Sequence, residues 1–144
     1  MVLTIDQAVR QGVAAHREGR LEEAERLYRA ILESQPFHPD ANHNLGVLSV
    51  SMSRVGEALP FFKAALEANP KVEQFWLSYI DALLKEGQLD TAKQALKKAK
   101  KQGVSPKNLK ALRTQLSAPL QKAPSADSSP SQQQLNSLLE FYQA

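Results

Sequence analysis

Apolar residues recur along this chain at helical spacing, in bands that end at Gly or Pro. Ala24, Leu27, Tyr28, Ile31 and Leu32 stand at i, i+3, i+4, i+7 and i+8, the buried stripe of an amphipathic helix over about 22–35. Pro36 stops that helix. Ahead of it, Ala8, Gln11, Gly12 and Ala15 share one side of a helix over about 5–18. Thr4 and Gln7 have the spacing of a capping box at its start. Gly19 suits the left-handed position just past its end.

The pattern then returns with a period of 34 residues. Gly12 recurs as Gly46, Ala24 as Ala58 and Ala92, and Tyr28 as Phe62 and Leu96. Ile31 recurs as Ala65 and Ala99, Leu32 as Leu66, and Gly19 as Ser53 and Gly87. Pro36 returns as Pro70, while the third copy has Val104 in that register and Pro106 two residues later. The division is 5–38, 39–72 and 73–104, each unit two helices and a tight turn. Small residues at the recurring positions let helix backbones approach closely. Pro39 fits the first turn of its helix. Pro60 is expected in the first turn of a helix over 55–69, or else to kink it.

These residues resemble the tetratricopeptide (TPR) repeat, a 34-residue helix–turn–helix. The second unit carries the pattern best, as Leu45, Gly46, Ala58, Phe62, Ala65 and Pro70. The first departs at Ile31, and the third has Ile80 in place of the small glycine and lacks the proline. The resemblance implies an all-α superhelical solenoid whose first helices line a concave groove for a protein or peptide. Carried over by position, the groove candidates include Val9, Arg10, Val13 and His16 in unit one. Unit two contributes Asp40, His43, Asn44 and Val47, and unit three Leu77, Ser78, Asp81 and Leu84. Chaperone-binding members hold a C-terminal carboxylate with a cationic clamp. The corresponding residues here are Val9, Val13, Asn44, Gln74 and Ser78, so the cations are missing and that clamp is not expected. The asparagine ladder of arrays preceding O-linked N-acetylglucosamine transferases is represented by Asn44 alone, and Arg10 and Ser78 break it.

A solenoid exposes apolar surface at its ends and needs capping. Residues 105–117 supply a cap helix, with Ser105 as N-cap, Pro106 at its first position, and Leu109, Leu112 and Leu116 facing inward. Residues 118–131 are rich in Ala, Pro and Ser and read as a flexible linker. Residues 132–144 resume a helical stripe, Leu135, Leu138, Leu139 and Tyr142, like the first helix of a further, truncated repeat. So short a helix is marginal alone in water. It is expected to dock on its own array or on a second copy, giving a homo-oligomer.

Charge and composition then narrow the partner. Residues 1–84 carry 8 Lys/Arg against 11 Asp/Glu, and residues 85–144 carry 10 against 4. The basic surplus therefore lies in the lysine-rich stretch 93–113. Lys93, Lys97, Lys100 and Lys101 align on one helix face while Lys98 points elsewhere, and no aromatic is interleaved. A solvated outer face is the preferred reading and a nucleic-acid role is disfavoured. With no cysteine and no apolar run near 18 residues, the expectation is a cytoplasmic module without membrane spans.

Candidate chemistry is sparse. His16 and His43 could face one groove near Asp40, but polar lining is the preferred reading over a metal or proton site. No HExxH motif, phosphate loop or Ser/His/Asp arrangement is visible, so no cofactor and no catalysis are expected. Trp76 and Tyr79 match packing positions, with Phe75 partly exposed. The function expected is a non-catalytic interaction scaffold binding an extended peptide or helix. The alternative is a recruiting arm of a larger enzyme, of glycosyltransferase or sulfotransferase type, with its catalytic domain beyond Ala144.

Overall fold

The computed structural model describes residues 3–117. The C-terminal stripe Leu135, Leu138, Leu139 and Tyr142, and the linker before it, lie outside the described residues. Three helix pairs follow one another: α1 (Ile5–Arg17) with α2 (Leu21–Ser34), α3 (Pro39–Ser51) with α4 (Val55–Ala68), and α5 (Glu73–Lys85) with α6 (Leu89–Lys101). The last helix, α7 (Pro106–Ser117), packs against α5 and α6. The described residues contain helices and no strand, and the arrangement is an all-α superhelix.

Local chemistry sets the helix ends. The Gln7 backbone N–H donates to Thr4 Oγ1 at 3.1 Å and the Thr4 N–H to Gln7 Oε1 at 2.9 Å, a complete capping box. Each helix-to-helix turn closes with the same backbone bond, from Arg20, Arg54 and Gln88 back to the carbonyls of Ala15, Ser49 and Leu83. This Schellman closure requires a left-handed residue just before the donor. Gly19 and Gly87 hold φ of +80° and +72° there, and Ser53 holds +61° at the equivalent place. A side chain in that region costs about 1 kcal/mol. Ser53→Gly should therefore raise stability by up to about 1 kcal/mol, read as a higher urea midpoint.

Packing within a pair turns on one glycine against one aromatic ring. A Cβ added at Gly12 would lie 2.4 Å from Tyr28 Cε1, and one at Gly46 would lie 2.5 Å from Phe62 Cε1. The third pair solves the same problem the other way. Ile80 fills the glycine position, and the smaller Leu96 replaces the aromatic, both buried in one cluster. Pro60 stands inside α4. It is the sixth residue of α4, beyond the first turn, so the Gly56 carbonyl loses its helical donor. Both residues are exposed, which leaves that carbonyl to water.

The pairs are stitched together by a bond that also repeats with the period. Asn42 Nδ2 donates to the Pro36 carbonyl at 3.1 Å, and Trp76 Nε1 donates to the Pro70 carbonyl at 2.8 Å. In the second and third units the fourth residue thus satisfies a carbonyl near the end of the unit before it. At the far end, Leu109 and Leu112 of α7 are buried on the α5–α6 cluster, with Leu116 packed beside them. The Ser105 N–H donates to Glu73 Oε1, tying the start of α7 to the start of α5.

Candidate functional site

The first helices α1, α3 and α5 carry the groove candidates, and burial divides those twelve residues in half. Arg10 is exposed, and Val9, Asp40, Leu77, Asp81 and Leu84 are half-buried. Val13, His16, His43, Asn44, Val47 and Ser78 are buried. The divide follows position in the array. α3 is enclosed over the whole stretch from Ala41 to Val50, and its neighbours on both sides keep an open edge.

The buried candidates form a seam joining successive first helices. His16 Nε2 lies 3.1 Å from Ser51 Oγ, linking α1 to α3. His43 Nε2 lies 2.7 Å from Ser78 Oγ, linking α3 to α5, and Gln74 Nε2 donates to the same hydroxyl at 3.3 Å. The His43 ring stacks on Phe75 at 4.9 Å and tilts toward Phe62 at 5.4 Å. Desolvation pushes the His16 imidazole down to about 4. It pushes His43 down to about 3, against an opposing contribution from Asn44. Both rings are neutral at pH 7 and act in the seam as uncharged hydrogen-bonding groups.

Two expectations change as a result. His43 and Asn44 do not offer polar groups to a bound backbone in this arrangement, since each has no exposed surface. Asn44 sits between the Tyr28 phenol and His43. Burial raises the Tyr28 phenol well above its ordinary range, with Asn44 opposing. The same enclosure applies to Val13, His16, Val47 and Ser78. Phe75, expected partly exposed, is fully buried beneath His43.

Accessible chemistry lies on α5 and at the start of the array. Leu77 and Leu84 stand two turns apart on one side of α5, with Asp81 between them paired to Lys85 at 3.0 Å. Asp40, at the first turn of α3, has its carboxyl pushed up by burial, with His38 opposing and Asp6 adding to the rise. His38 itself caps α3, its Nδ1 accepting from the Ala41 N–H at 3.1 Å. That role is missed by the helical pattern. A side-chain acceptor just before Pro39 is the signal that could have found it.

Among the described residues no cluster of three or more His, Cys, Asp or Glu could hold a metal ion. No helix among them is long and apolar enough to cross a membrane. The lysines at 93, 97, 98, 100 and 101 are all exposed.

No curated protein matches this sequence. Solved structures do match the fold. The P58(IPK) TPR domain aligns with TM-score 0.68 and 23% identity over 78% of this chain and 31% of that one. The first TPR of Spaghetti (RPAP3), bound to the HSP90 peptide SRMEEVD, aligns with TM-score 0.66 and 16% identity over 75% and 86%. The Yersinia enterocolitica type III secretion chaperone SycD, in complex with a peptide of the translocator YopD, aligns with TM-score 0.64 and 18% identity over 94% and 89%. This chain therefore spans about a third of the first of these and most of the other two. Two tetratricopeptide repeat family models match, one over residues 9–73 and one over 49–116. Helix pairs repeating every 34 residues, small-on-aromatic packing within the pairs and these two overlapping matches agree: the chain belongs to the tetratricopeptide repeat family.

Proposed function

We propose that the chain is a non-catalytic scaffold that binds an extended peptide or a helix of a partner protein along its first helices. The observation that carries this reading is the α5 edge. Leu77 and Leu84 remain partly open two turns apart, the spacing at which an apolar ligand face is read. Val9 on α1 adds apolar surface, and Arg10, Asp40 and the Asp81–Lys85 pair supply charges that would set orientation. The peptide complexes of Spaghetti and SycD support a peptide as the class of ligand. The seam beneath serves as rigid backing, which lowers the ordering cost of binding.

The test is a peptide selected from a random phage-displayed library on the wild-type array. Its affinity is then measured by fluorescence anisotropy on Leu77→Asp and Leu84→Asp. Each should weaken binding about five- to thirtyfold, because an apolar contact of this size is worth about 1–2 kcal/mol. Unchanged affinity in both would remove α5 from the site.

Residues 132–144, in cis or from a second copy, are one candidate occupant of this face. Deleting residues 131–144 should then strengthen binding of the selected peptide or lower the molar mass seen by light scattering. The reading as the recruiting arm of an enzyme is decided by the coding sequence after Ala144.

A further inference from the structure

A second recess lies away from the first-helix face, between the second helices α4 and α6. Its floor is α5, through Trp76 and Tyr79, and its walls include Leu66 and Ala95. The volume is about 320 Å³, the low end for a ligand pocket and room for one or two side chains, not a cofactor. Tyr79 is only half-buried, so an aromatic edge stays open at the base.

Cations outnumber carboxylates around this recess, Lys63 and Lys98 against Glu67. Lys63 and Lys98 reach it from opposite walls, and neither is in an ion pair among the described residues. Of the two walls, α6 carries five lysines and a single acid, Asp90, while α4 carries Lys63 against Glu57 and Glu67. One carboxylate, Glu67, interrupts the cationic rim.

We propose that this recess is a second docking site, for an acidic peptide segment of a partner that inserts an apolar side chain over Trp76 and Tyr79. Carboxylates flanking the anchor meet Lys63 and Lys98. A nucleic acid fits these groups less well. Glu67 interrupts the cationic rim that a continuous polyanion would follow, and the recess has room for only one or two side chains. The site is independent of the α5 edge, so either can fail without the other.

The protein reports on the recess itself, because Trp76 is its only tryptophan. The probe is a fluorescein-labelled peptide, EEDLFDEE, compared with the anchorless EEDSSDEE and with an oligothymidine. The anchored peptide should shift Trp76 emission and bind at least about tenfold more tightly than the anchorless one. Lys63→Glu combined with Lys98→Glu, both at exposed positions that leave the core intact, should weaken it about tenfold or more. Raising salt from about 50 to about 300 mM should weaken it several-fold. Equal binding of the two peptides, tighter binding of the oligothymidine, or unchanged affinity in the charge-reversed variant would overturn the proposal.

Discussion

Gly46→Ala is expected to destabilise the array by about 2 kcal/mol, despite the better helix propensity of alanine. The added Cβ would sit 2.5 and 2.6 Å from two ring carbons of Phe62, and that ring is 1% exposed, so it has nowhere to go. It also touches the His43 ring, so pushing it disturbs the seam between α3 and α5. A protein of this size has a total stability of about 5–15 kcal/mol, so the loss should be plain in the urea midpoint. The third helix pair suggests the rescue. Because Ile80 there is accommodated by Leu96, Phe62→Leu should recover much of the loss when combined with Gly46→Ala. A Gly46→Ala protein with the parent's midpoint would show that α3 and α4 are not packed as described.

Acid should unfold the array through its two buried histidines. In the unfolded chain both titrate near 6.5, whereas in the fold His16 is pushed down to about 4 and His43 to about 3. Between those values the unfolded state binds more protons, so stability is complete above pH 6.5 and falls as the pH drops toward 4. Shifts of this size correspond to about 3 kcal/mol or more per histidine before relaxation. Asp40 works the other way: its carboxyl is raised, so its protonation in acid favours the fold. The histidines dominate, because the larger shifts are theirs. Urea midpoints from pH 8 to pH 4 should fall steeply below 6.5 and less steeply in His43→Gln. A flat profile would mean that the rings reach solvent.

The repeat period and its packing rule were legible in the sequence because they rest on residue size. A glycine opposite an aromatic and a closing proline in the first two units, and an alanine at position 24, 58 and 92, leave a pattern that recurs every 34 residues. The site was legible only in part. The register placed twelve residues on the first helices, but it cannot distinguish an open position from one closed by neighbouring repeats. His43 and Asn44 illustrate this. Polar side chains at groove positions look like ligand contacts in sequence, and three-dimensional packing turns them into an internal seam with Ser78 and Tyr28. The bonds from Asn42 and Trp76 to the preceding proline carbonyls were hidden for another reason. Asparagine and tryptophan share no size or hydropathy, only an N–H at the right reach.

On the proposed function, the first-helix edge on α5, with Val9 and Arg10 of α1, receives a partner peptide. Amide chemical-shift mapping of the isotopically labelled chain, titrated with a library-selected peptide, tests it most directly. The largest shifts should fall on residues 77–85 and on Val9 and Arg10, with α2 and the outer surface of α6 unmoved. Shifts confined to the second helices, with Leu77, Asp81 and Leu84 unchanged, would contradict it.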